Sequence, residues 1–104
     1  MTILSSRMIL ATGFLANVFD IFRKHKVNIE MVSTSEASLT MTFDCKDCIT
    51  DTLLRDLKQI GKVQVVTDQA VICVVGSEMI GRSGTAAKIL ETVAQEKISI
   101  HAIF

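Results

Sequence analysis

Apolar and polar positions change period along this chain, and the changes lay out its elements. Phe14, Val18 and Phe22 recur at every fourth position with Leu15 and Phe19 beside them, the stripe of an amphipathic helix that faces a sheet. Asp20, Arg23, Lys24 and Lys26 fall off that stripe or into its last turn, where basic residues suit the negative end of the helix dipole. His25 belongs to the same terminal group, as a surface or capping residue. Val27, Ile29 and Met31 then alternate with Asn28 and Glu30, and Leu39, Met41 and Phe43 alternate with Ser38, Thr40 and Thr42. A period of two predicts two half-buried strands, joined through Thr34-Ser35-Glu36. Before the helix, Thr2 to Met8 alternates weakly and predicts a first strand, followed by a loop over Ile9 to Thr12.

Further on, Thr50 or Asp51 is placed to cap a second helix whose apolar face is Leu53, Leu54, Leu57 and Ile60. Gly61 then stands where a left-handed C-terminal residue is expected, and Val63 to Val66 predicts a fourth strand. The order strand, helix, strand, strand, helix, strand defines an α+β class: the ferredoxin-like βαββαβ arrangement with both helices on one face of an antiparallel sheet, spanning 1–68.

The remainder, 69–104, repeats the opening. Ala70 to Val75 is almost uniformly apolar, which predicts a strand covered on both faces. When Gly13 is laid on Gly84, the stretch from Gly13 to Ser33 aligns without a gap with Gly84 to Phe104. Val18, Phe19, Phe22 and Val27 then fall on Ile89, Leu90, Val93 and Ile98, and Lys26 falls on Lys97. Shared apolar phase over that length marks an internal duplication. The second copy extends through strand, helix and strand only, a partial βαβ unit, so the chain is expected to be part of a longer protein.

Composition narrows the function classes. Eleven basic and eleven acidic residues cancel, which removes the broad positive field that nonspecific nucleic-acid binding uses. The five aromatic residues are all Phe, and three lie in the first helix, which leaves no base-stacking platform. Hydrophobic residues make up 49%, yet no apolar run reaches the roughly 20 residues of a membrane helix. With no signal-peptide pattern at the start, a cytoplasmic location is the expectation. The CxxC spacing of Cys45 and Cys48 supplies two thiols where a structural zinc usually takes four ligands, so a plain polar loop is expected there, with Cys73 buried in its strand. No nucleophile and base are organised into a catalytic motif, and no metal site is expected.

The stretch with chemical meaning begins at Gly13. A turn that opens straight into a helix leaves backbone N–H groups without intrahelical partners, and these can receive a carboxylate. Glu30 and Glu36, in the next strand and its corner, offer carboxylates to an ammonium group. Together these donors and acceptors suit the two ends of a free amino acid.

Gly13-Phe14-Leu15-Ala16 with Val18-Phe19, followed by Val32-Ser33-Thr34-Ser35-Glu36, closely resembles the first ACT domain of aspartokinases, the lysine-inhibited kind most of all. The resemblance continues through Leu53-Leu54 and Val63 into Val74-Val75-Gly76, nearly the whole chain. It implies a first ACT domain over 1–68 and a partial second over 69–104, acting in feedback inhibition of an aspartate kinase in lysine, threonine and methionine biosynthesis. By this resemblance Met8, Gly13, Phe14, Leu15, Asn28, Ile29, Glu30, Thr34, Ser35 and Glu36 match positions around bound lysine, in a pocket formed where two copies of the domain pack as a homodimer. Catalysis would lie in an N-terminal kinase domain of the parent chain using ATP and magnesium, with no cofactor in this segment. Residues preceding the first ACT domain of such enzymes also contribute a strand to the second.

Two positions depart from the family pattern. The usual aspartate of the second strand is Glu30, one methylene longer, and a polar residue near the turn is Ala11. Both bear on the choice of ligand, since a displaced carboxylate loses much of a charge-assisted hydrogen bond. The second glycine turn, Gly76 to Gly84, lacks the Gly-Lys-Ser/Thr ending of a P-loop and reads as a turn capped by Ser83. Two other readings stay open from the residues alone: a free-standing amino-acid sensor, and a dimerisation module without ligand.

Overall fold

A computed structural model describes residues 1–5, 13–77 and 83–104. They divide into two compact units, the first covering Met1–Asp68 together with Phe104, the second Gln69–Ile103.

In the first unit, β1 (Thr2–Leu4), α1 (Phe14–Lys24), β2 (Met31–Thr34), β3 (Ser38–Thr42), α2 (Asp51–Lys58) and β4 (Lys62–Gln64) follow one another. The strands form one sheet in the order β2-β3-β1-β4, every neighbour antiparallel. This is the ferredoxin-like arrangement that the change of apolar period predicts. The predicted bounds are wider than the observed ones. Met8 and the Ile9 to Thr12 loop lie outside the described residues, and Val27 to Glu30 precede β2 instead of opening it.

The core follows from the two periodicities. Phe14, Val18 and Phe22 of α1, Leu53 and Leu57 of α2, Ile3 of β1 and Leu39 and Met41 of β3 are all buried in one cluster. Each such side chain contributes roughly 1.5–3 kcal/mol of transfer free energy. The rings of Phe22 and Phe43 stack at 5.2 Å between centroids, tying α1 to the end of β3. On the other face of the sheet Leu4 and Met31 share the surface with hydroxyl residues, and the hydroxyl oxygens of Thr2 and Thr40 are 3.1 Å apart.

Thr50 caps α2, its hydroxyl accepting from the Leu53 amide at 3.3 Å. Gly61, expected to be left-handed, is not; among the described glycines only Gly13 and Gly84 have positive φ. Glycine is needed at 61 for a different reason, because a Cβ there would lie 2.8 Å from the Leu4 carbonyl oxygen and 2.9 Å from the Ile3 side chain. The sheet edge where β4 meets β1 has no room for a side chain.

In the second unit α3 (Thr85–Gln95) repeats α1 down to its backbone angles. Gly13 and Gly84 stand at the two helix starts with φ of 85° and 84°. After the helices Lys26 and Lys97 take φ of 57° and 58°. Around each lysine the same pair of hydrogen bonds closes the helix: Lys26 N–H to Arg23 and Val27 N–H to Phe22, Lys97 N–H to Ala94 and Ile98 N–H to Val93. Both are Schellman closures. The duplication inferred from apolar phase is thus written in the main chain.

Four expectations for this half are corrected. Ala70 to Val75 is not in a strand, nor is the stretch after α3, and the apolar residues there are exposed, Ile72 at 69% and Val75 at 89%. Apolar alternation selects which face a strand buries, but a strand forms only against a partner ladder, and none is present among the described residues. Cys73, expected inside that strand, is exposed with it. Ser83 does not cap α3: Gly84 is the N-cap and no side-chain bond closes it.

Candidate effector site at the helix start and the Ser-Thr corner

Local sequence sets the geometry at both ends of the candidate site. Gly13 turns the chain in the left-handed region, where a side chain is disfavoured, and α1 starts at the next residue with its first bond from the Asn17 amide to the Gly13 carbonyl at 2.9 Å. No side chain caps this end and its first turn holds no acidic residue, so the positive end of the helix dipole is not offset by a local carboxylate. Phe14 is buried in the core, so it can offer its amide while its ring holds the helix down. Leu15 is 38% exposed on the outer side of the same turn.

The corner after β2 is closed by Ser35 and Ser38. The Ser35 amide donates to the Ser38 carbonyl at 2.9 Å and their hydroxyl oxygens are 2.7 Å apart. Glu36 sits at the exposed tip, and Thr34 and Ser35 are exposed beside it. The Ser5 amide donates to the Ala37 carbonyl at 2.9 Å, which binds the corner to the end of β1.

Asn28, Ile29 and Glu30 lie elsewhere. The Glu30 amide donates to the Thr42 carbonyl at 2.9 Å, Ile29 packs against the core, and Asn28 and Glu30 are exposed. Strand register separates the two groups. Thr34 pairs with Leu39 and Leu39 with Ile3, whereas Met31 pairs with Thr42, so the corner and Glu30 are at opposite ends of the sheet. Helix α1 carries the chain from the Ser5 end of β1 back to the Met31 end of β2. Its start therefore belongs with the Thr34–Glu36 corner and its finish with Asn28–Glu30. Met8, like Ala11, lies outside the described residues.

Among the described residues neither Glu30 nor Glu36 forms an ion pair. Two contacts escaped the sequence reading. His25 Nε2 lies 2.8 Å from Asp56 Oδ2, joining the end of α1 to α2. The only signal was that Asp56 lies off the apolar face of α2. Cys45 and Cys48 are joined in a disulfide, which replaces the plain polar loop expected there. No helix among the described residues is long and apolar enough to cross a membrane.

A family model described as an ACT domain matches residues 72–104, most of the second unit. Particular relatives are more specific. The chain is 32% identical to an aspartokinase of Candida albicans over 102 residues, 95% of this chain and 19% of that protein. It is 27% identical to lysine-sensitive aspartokinase 3 of Escherichia coli over 96 residues, 86% of this chain and 21% of that protein. A solved structure of Escherichia coli aspartokinase III in complex with lysine and aspartate, in its T-state, matches with a TM-score of 0.60 and 32% identity over 77% of this chain and 21% of that one. The chain carries ACT-domain sequence of the kind found in aspartokinases, and it spans about a fifth of the length of the curated relatives it matches.

Proposed function

We propose that this chain is the regulatory part of an aspartate kinase and that it binds an end-product amino acid, L-lysine first, between two copies of its first unit. The observation that carries the reading is its likeness to an aspartokinase solved with lysine, at a TM-score of 0.60 and 32% identity. The ligand's carboxylate is received by the amides that follow Gly13, and its ammonium groups by Glu30 and Glu36. Residues 1–68 act as the effector-binding ACT domain, and 69–104 as part of a second.

Pairing of two copies reconciles the scattered residues. Among the described residues, strand β2 is at the edge of the sheet and pairs on one side only. If two such edges meet antiparallel about a two-fold axis, the start of one β2 lies beside the end of the other. Glu30 of one copy then joins Gly13 and Glu36 of its partner. The ligand favours the arrangement of the parent enzyme in which this pocket is closed, and shifts the population toward it by its differential affinity. In that enzyme, the kinase domain with ATP and magnesium phosphorylates aspartate in the cytoplasm.

The test is a calorimetric titration of the full-length protein with lysine, threonine and methionine, run beside a thermal shift. Lysine is expected to give heat and, at about 100 times its dissociation constant, about 2.7 kcal/mol of added stability. Absence of heat and of any shift with all three at millimolar ligand would leave the dimerisation module as the better reading.

A further inference from the structure

The connection between β3 and α2 holds a feature that amino-acid binding does not use. Cys45 and Cys48 are bonded to each other three residues apart, and their surroundings differ. Cys45 is exposed, whereas Cys48 is half-buried and packs with Ile49 against the core. Thr50, the residue that caps α2, follows at once. Lys46, between the cysteines, lies 3.9 Å from Asp68, the residue at which the first unit ends. Cys73 is exposed and has no such partner.

We propose that Cys45 and Cys48 are a reversible redox site that exchanges with small thiols and disulfides of the glutathione class, and that closing it fixes the start of α2. In the forward direction the Cys45 thiolate attacks one sulfur of glutathione disulfide, forming a mixed disulfide and releasing one glutathione thiolate, which takes up a proton. The Cys48 thiolate then attacks the Cys45 sulfur and releases the second glutathione. Two protein thiols are oxidised and one glutathione disulfide is reduced to two glutathiones, so atoms and electrons balance. Access decides the order: the exposed sulfur meets the external reagent, and the half-buried one resolves. Closure draws Cys45 to Cys48 into a ring, and Ile49 alone separates that ring from the Thr50 cap. The site is independent of what the effector pocket binds.

The experiment uses the full-length protein equilibrated in glutathione buffers of rising oxidised fraction, quenched in acid, alkylated, and read by peptide mass spectrometry. Cys45 and Cys48 are expected to lose their alkyl labels together and to retain no glutathione, while Cys73 in the same sample keeps a glutathione adduct. A Cys48→Ser variant is expected to hold the adduct on Cys45, and Cys45→Ser to take it up several-fold more slowly at Cys48. Hydrogen exchange at the Leu53 and Leu54 amides is expected to be several-fold faster in the reduced protein. A stable glutathione adduct on wild-type Cys45, labels that persist across the whole buffer range, or equal exchange in both states would each overturn the proposal, and none of these measurements on the wild-type chain depends on a variant folding.

Discussion

His25 at the end of α1 and Asp56 in α2 hold the two helices of the first unit together, with Nε2 and Oδ2 at 2.8 Å. Their side chains are 21% and 41% exposed, so solvent screens the contact and limits its worth. We expect His25→Ala and Asp56→Ala each to lower stability by about 0.5–1 kcal/mol, with a coupling of similar size in the double-mutant cycle. Urea unfolding of the full-length protein measures it. A cycle that closes with no coupling would mean that the pair is only a contact of convenience. The position matters to the site as well, because His25 immediately precedes the turn that delivers Asn28 and Glu30.

That turn carries a second prediction. Lys26 has φ of 57° at the residue where a helix closure most favours glycine, and among the described residues its side chain forms no hydrogen bond or ion pair that offsets the cost. For a residue with a Cβ the left-handed conformation costs roughly 1–2 kcal/mol, part of which glycine gives back through its freer unfolded chain. Lys26→Gly is therefore expected to raise stability by about 0.5–1 kcal/mol. Lys97→Gly tests the same geometry in the second unit, and destabilisation by either would show that the lysine side chain makes a contact worth more than the strain.

The two glycines of the first unit separate two physical requirements. At Gly13 a Cβ would meet nothing within 4 Å, so Gly13→Ala adds only the left-handed backbone cost, about 1–2 kcal/mol. At Gly61 the obstacle is the Leu4 carbonyl oxygen at 2.8 Å, which belongs to a strand and cannot swing aside. Gly61→Ala is expected to cost about 1–3 kcal/mol and to loosen the pairing of β1 with β4. Hydrogen exchange distinguishes them: in the alternating ladder Met1 and Ser5 bond on the β3 side, so Leu4 and Lys62 bond across β1 and β4, and their amides lose protection in the Gly61 variant and keep it in the Gly13 variant.

What could be read without coordinates follows the same division. The buried faces were legible because Phe14, Val18 and Phe22, or Leu39 and Met41, obey one local period that packing alone enforces. The Thr50 cap was legible because a hydroxyl and an amide three residues on are local partners. Gly61 was misread because its constraint comes from β1, far away in sequence, and the Cys45–Cys48 bond because spacing alone does not say what two thiols do. Strands at Ala70 to Val75 were misread for lack of a ladder to join. The resemblance gathered the candidate site into one list, but only strand register reveals that the list is split between two ends of a sheet.

The split yields the most discriminating prediction. Glu30→Gln and Glu36→Gln should each weaken lysine binding by about 10–100-fold, the worth of one charge-assisted hydrogen bond at about 1.5–3 kcal/mol. Co-expression of the two variants then asks which chain each carboxylate comes from. If Glu30 and Glu36 reach one ligand from different copies, a mixed dimer holds one pocket with both changes and one with neither. Random pairing makes half the dimers mixed, so about a quarter of all pockets regain wild-type affinity, which calorimetry resolves as a minor tight class. If both carboxylates serve the ligand from the same copy, no pocket in the mixture is intact and the tight class is absent. That outcome would defeat the antiparallel pairing of β2 edges while leaving lysine binding itself in place, since each single variant reports on binding alone.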